Sequence, residues 1–254
     1  MKKSLISLAL LCSASALPVL SATAAVPSYG VLVMDRSGSM MSTRTDGQSR
    51  CSYSKQEAID KISRFFFNAN LNGQLIEVRT FNSANNMQSV TGGFVDFVGA
   101  MTAMNNLDDE GCSGSTALAQ AMCSAADDLR AQFSEEASNG ARLRVYGSTD
   151  GDENSSPNTP CGGSNWQDEV RSKYTVEVPT VEFNPTIFTG TVSAAVRHLA
   201  VIEQDQGKTG AISTKSSTFE FLQELAVETG GEIELISDSD GDNPNEPWFD
   251  KGKQ

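Results

Sequence analysis

Short apolar runs alternate along this chain with segments whose apolar residues recur at helical spacing, and that alternation limits the fold more than any other feature. Tyr29 to Met34 is a nearly continuous apolar run that ends at a polar turn. It reads as a strand buried on both faces, as strands of a parallel sheet are. Residues 41–53 are polar, contain Asp46-Gly47, and read as a loop. Ser54 then opens a helix, with Glu57 three residues on as a capping box and Ala58, Ile59, Ile62, Phe65 and Phe66 at helical spacing. Leu75 to Phe81 alternates and reads as a second strand; Met87 to Phe94 reads as a short edge strand, and Val95 to Leu107 as a helix.

The second half continues the pattern. A small-residue loop, Gly111 to Ser115, precedes a helix from Thr116 to about Phe133. Arg142 to Tyr146 is a strand that runs into Ser148-Thr149-Asp150-Gly151, and residues 151–165 form a Gly-, Pro- and Asn-rich loop. Residues 174–184 alternate like a strand, which Pro179 demotes to an edge or a hairpin. Val196 to Ile202 reads as a core strand. Ser217 and Glu220 form a capping box on a last helix, Gly230-Gly231 stops it, and Glu232 to Ile236 is the final strand. Such an order predicts an α/β fold: a doubly wound, mostly parallel central sheet flanked by helices, with one antiparallel edge strand. No internal repeat is visible.

The chain has 254 residues, which favours one large domain with a substantial core. Met1-Lys2-Lys3, an apolar run from Leu5 to about Leu20 and small residues to Ala25 describe a secretory signal peptide over residues 1–25. That run is too short and too rich in Ser and Ala for a membrane span, so none is expected in the mature chain. The domain is expected over residues 26–236, with an acidic tail over 237–254. Loss of Lys2 and Lys3 with the signal takes the formal net charge from −13 to −15. A surface this acidic repels nucleic acid phosphates and offers an anionic membrane no attraction.

Four cysteines remain after the signal: Cys51, Cys112, Cys123 and Cys161. An even number in an exported chain suggests two disulfides. Three pairings are possible and the sequence does not choose among them; Cys112–Cys123 with Cys51–Cys161 is our working expectation. The spacing fits no zinc pattern, and the chain holds one His.

The chemistry lies where the first strand ends, in Asp35-Arg36-Ser37-Gly38-Ser39. Its oxygen-bearing side chains fall at every second position, which places them on one side of an extended segment. Three small oxygen donors so placed suit a hard cation. Asp-x-Ser-x-Ser after an apolar strand resembles the metal-ion-dependent adhesion site of von Willebrand factor A domains. The two further loops of that family have counterparts in order, with Thr116 matching the second and Asp150 the third. Asp150 fits better than Asp152 because it directly follows the strand. The resemblance spans about residues 27–236. It implies that Ser37 and Ser39 coordinate the metal directly, Thr116 directly or through water, and Asp35 and Asp150 mainly through waters and hydrogen bonds. It further implies one divalent cation, Mg²⁺ before Mn²⁺ or Ca²⁺, with a position left open for a carboxylate on a protein partner. Two departures from the family stand out, insertions near residues 41–53 and 151–196, both expected on the metal face or its rim.

Weaker features remain. Asp238, Asp240 and Asp242 alternate around Gly241 and could begin an additional calcium loop, though no register completes an EF-hand. His198 sits in an apolar run without a G-x-S-x-G elbow and reads as structural. The expected function is therefore non-enzymatic: an exported module, periplasmic, secreted or on the cell surface, that binds a partner through its cation. A metal-dependent hydrolase and a structural calcium-binding surface protein are the alternatives.

Overall fold

The computed structural model describes residues 26–67, 73–83, 86–151, 153–157, 161–190 and 217–238. The expected signal peptide, the expected strand at Val196–Ile202, His198, Asp152, Asp240 and Asp242 lie outside the described residues.

Among the described residues six strands form one sheet: β1 (Ser28–Asp35), β2 (Leu75–Phe81), β3 (Met87–Ser89), β4 (Arg142–Thr149), β5 (Glu182–Thr189) and β6 (Glu234–Ser237). Their order is β3-β2-β1-β4-β5-β6. All neighbours run parallel except β3, which pairs antiparallel with β2 at the edge. The fold class is the one the alternation predicts. β1 is buried along its whole length because β2 and β4 flank it and helices cover both its faces.

Among the described residues five α-helices complete the layers: α1 (Arg50–Phe67), α2 (Phe97–Asn106), α3 (Leu118–Ser138), α4 (Trp166–Thr175) and α5 (Thr218–Thr229). Leu32 and Met34 of β1 face α1 and α2, where Ala58, Ile62, Phe65 and Phe66 line one stripe. Gly30 allows this approach, since a Cβ there would lie 3.1 Å from the Phe65 ring. Val31 and Val33 face the other way, into a larger core shared with α3, α4 and α5. A third cluster, Met40, Cys51, Tyr53, Cys112 and Phe188, sits above the C-terminal ends of the strands. α5 begins and ends as its sequence dictates: Ser217 and Glu220 cap each other, and Gly230 takes φ 73°. Among the described residues no helix is long and apolar enough to cross a membrane.

Three expectations need correction. α1 begins at Arg50, a turn before Ser54, because Cys51 and Tyr53 belong to the upper cluster and draw the chain into the helix early. Ser54 lies inside the helix and donates to the Cys51 carbonyl at 2.9 Å, while Glu57 turns to Lys61 and Arg64. The alternating stretch 174–184 is not one strand. It comprises the end of α4, an exposed turn carrying Val176 and Val178, and the start of β5. Val170 and Tyr174 are both fully buried, and four-residue spacing on a helix accounts for that. β5 instead runs through Pro185, with its β6 pairing beginning only at Thr186. Lastly, the disulfides are Cys51–Cys112 and Cys123–Cys161. Cys123 points into the core from α3, toward the segment before α4, whereas Cys112 precedes α3 and meets the first turn of α1. Peptide mapping without reduction should recover Cys51 linked to Cys112 and Cys123 linked to Cys161; any other linkage refutes this arrangement.

A buried ionic cluster joins α1 to β6. Lys61 lies 3.0 Å from Glu234 and 3.4 Å from Glu57. Burial pushes the Glu57 carboxyl up from 4.5 to about 8, with Lys61 pulling it back and Glu234 reinforcing the rise, while Lys61 and the hydrogen bond from Glu57 hold Glu234 low despite its own burial. Folding therefore takes up a proton at Glu57. The stability this contributes is complete below about pH 4.5 and is lost as the pH climbs toward 8. The unfolding free energy from denaturant melts should fall over that window, by at most about 1.4 kcal/mol per pH unit from this group. Glu57→Gln should flatten the fall; an equal slope in the variant would count against the assignment.

Candidate metal centre

β1 delivers the first loop. Its last residue, Asp35, is completely buried. A carboxylate so placed costs several kcal/mol unless hydrogen bonds compensate. Two do: the Ser37 N–H donates to Oδ1 at 2.8 Å, and the Thr149 hydroxyl donates to Oδ2 at 2.6 Å. Burial nonetheless pushes the Asp35 carboxyl up to about 6, against the pull of Thr149 and Ser37. Asp35 thereby ties the end of β1 to the end of β4 and folds the chain back so that Ser37 follows at a fixed angle.

The hydroxyls of Ser37 and Ser39 share a hydrogen bond of 3.0 Å, and Ser39 donates to Asp150 Oδ1 at 2.7 Å. Thr116 enters from the second loop. A Cβ added at Gly151 would lie 3.5 Å from both the Ser39 and the Thr116 hydroxyl oxygens, so these two hydroxyls and the backbone after Asp150 converge on one place. All five oxygen-bearing residues expected from the sequence thus meet at the C-terminal edge of the sheet, where ligands of open parallel sheets bind.

Backbone contacts lock the three loops together. Gly38 N–H donates to the Gly114 carbonyl at 3.0 Å, and Ser113 N–H to the Arg36 carbonyl at 2.8 Å. Gly114 has φ +89°, and a Cβ there would stand 2.7 Å from the Asn82 carbonyl oxygen, so the second loop needs glycine at this point. Thr116 is not an N-cap. α3 begins at Leu118, and the third loop satisfies its free N–H groups. Asn154 accepts from Thr116 N–H at 2.8 Å, Glu153 from Ala119 N–H at 2.7 Å, and Ser156 from Gln120 N–H at 2.9 Å. The start of the 151–196 insertion is therefore the cap of the helix that follows Thr116.

The donor set consists of three hydroxyls and two carboxylates, a set suited to a hard cation rather than to zinc or copper. Among the described residues no three His, Cys, Asp or Glu side chains gather as a metal cluster, and two carboxylates with three hydroxyls make up this site. Asp238, expected as a possible calcium ligand, makes a different contact. Arg50 Nε donates to its Oδ1 at 2.8 Å and Nη2 to its Oδ2, while Arg50 Nη1 reaches Asp150 Oδ2 at 2.6 Å. Sequence reasoning missed Arg50 and Thr149. Thr149 directly precedes Asp150 and could have been suspected; Arg50, in a segment read as loop, carried no such signal.

No family model matches the sequence, and no curated protein does. Solved structures do resemble it. One is an aerotolerance-related membrane protein from Bacteroides fragilis, at 16% identity and a TM-score of 0.52, with 86% of this chain and 93% of that one covered. Another is a von Willebrand factor type A protein from Catenulispora acidiphila, at 13% identity and a TM-score of 0.50, with 86% of this chain and 39% of that one covered. At such identities the likeness is one of fold, and the fold of this chain is von Willebrand factor A-like.

Proposed function

We propose that this protein is an exported binding module that holds one divalent cation, magnesium before manganese or calcium, and captures a carboxylate of a protein partner through it. The observation that carries the reading is the convergence of Ser37, Ser39, Thr116 and Asp150 around one place, with Asp35 fixed behind them. Ser37, Ser39 and Thr116 supply neutral oxygens, which leave a bound cation strongly electrophilic toward an incoming anion. Asp35 orients Ser37, and Asp150 orients Ser39 and any water between itself and the ion.

Binding is favoured over catalysis by the state of the two carboxylates. Both oxygens of Asp35 and both of Asp150 already accept hydrogen bonds from the protein. These bonds hold both carboxylates in a positioning role toward the hydroxyl donors, which suits a site that binds. The signal-like N-terminus and the two disulfides support export to the periplasm, the surface or the medium.

Calorimetric titration with Mg²⁺ and Mn²⁺ tests the cation, and pull-down from the native source with and without EDTA tests the partner. Ser37→Ala should weaken cation uptake about 10–100-fold and abolish EDTA-sensitive capture, with an unchanged circular dichroism spectrum. Normal uptake and capture by that variant would separate the partner surface from this site.

A further inference from the structure

The cation reading leaves one charged group at the site unexplained. Arg50 reaches Asp150 from the side opposite Ser39, so each oxygen of that carboxylate has its own donor. The arginine side chain is 12% exposed and that of Asp150 is fully buried. Neither end of the contact is loose. Arg50 N–H donates to the Ser42 carbonyl at 3.0 Å, and the next residue, Cys51, is bonded to Cys112. Asp238, which holds the rest of the guanidinium in a two-pronged fork, is itself pinned: its N–H donates to Thr189, and its carbonyl accepts from both the N–H and the hydroxyl of Thr45. A guanidinium forked by a carboxylate keeps its geometry and stays charged at any ordinary pH.

We propose that Arg50 is a built-in counter-cation of this site, which competes with the divalent ion for Asp150 and sets how weakly that ion is held. This rests on the cation reading above. Without a divalent ion, the guanidinium neutralises Asp150 and keeps it aimed at Ser39. When the ion arrives, its charge and that of Arg50 share one carboxylate in a largely buried setting, where like charges repel far more than in water. Arg50 loses its hold on Asp150 and keeps its fork on Asp238. The 41–53 insertion and the end of β6 thereby act on cation affinity without supplying a ligand.

The test is Mn²⁺ affinity by calorimetry on the full mature chain, with thermal melts to confirm folding. Arg50→Gln removes the charge and should bind Mn²⁺ roughly tenfold more tightly than the parent. Arg50→Lys keeps a positive charge but loses the fork on Asp238, and should bind Mn²⁺ less tightly than Arg50→Gln. Equal or weaker binding by Arg50→Gln overturns the proposal. In the unmodified protein, the ¹⁵N signals of the Arg50 guanidinium should change on saturation with Mg²⁺, and an unchanged spectrum at saturation overturns it even if Arg50→Gln fails to fold. If neither the parent nor Arg50→Gln takes up Mn²⁺ at millimolar concentration, the cation reading itself is wrong; parent binding that Arg50→Gln leaves unaltered removes only the role of Arg50.

Discussion

The carboxylate of Asp35, buried at the end of the central strand, is the constraint from which the rest of the upper face is built. A charge there is tolerated only because a backbone N–H two residues on and a hydroxyl from the neighbouring strand both point at it. The first contact forces the chain to turn immediately after β1. The second forces β1 and β4 to end at the same height. Once those conditions hold, Ser37 and Ser39 follow on one side of the turn and Asp150 follows Thr149 directly. Three of the oxygen donors are positioned by one buried side chain.

The fourth donor depends on a different device. Thr116 lies ahead of a helix whose first N–H groups have no capping side chain of their own. Glu153 and Ser156 provide the caps from across the site, and Asn154 holds the Thr116 N–H just before the helix. Helix α3 is thereby registered against the third loop rather than against its own flanking sequence. A shift of either segment breaks several hydrogen bonds to buried N–H groups, each costly to leave unmade. Gly114 completes the arrangement, since its conformation and the close carbonyl of Asn82 exclude any side chain.

Much of this could be read in the sequence, and the parts that could not share a physical cause. Local patterns announce strands and helices that bury one stripe or one run: Tyr29 to Met34, Leu75 to Phe81 and the capped helix at Ser217 lie where those patterns put them. Asp35-x-Ser37-x-Ser39, Thr116 and Asp150 were legible because each stands at the end or start of such an element. The errors fall where long-range contacts outweigh local propensity. Helix α1 begins early because Cys51 and Tyr53 are drawn into a cluster with Phe188, far along the chain. Val176 and Val178 imitate a strand yet stand in solvent, and the true strand accepts Pro185 inside it. The disulfide pairing depends on which way α3 turns Cys123, which no spacing of cysteines encodes.

Arg50 belongs to that second class, and it changes what the insertion near residues 41–53 means. As sequence, the insertion looks like a polar excursion between a metal loop and a helix. In the fold it has its own small core, with Arg44 stacked 3.8 Å over the Tyr53 ring and Cys51 bonded to Cys112. Such packing is more than a surface loop needs, and it fixes the backbone from which Arg50 extends. A site holding two buried carboxylates must be neutralised in some way at every stage of its life. Here the chain carries a cation of its own beside the place where an external one would sit, and it anchors that cation to the last strand of the sheet. The candidate metal face is then a balance of charges spread over Asp35, Asp150, Asp238 and Arg50 as much as a set of oxygen donors.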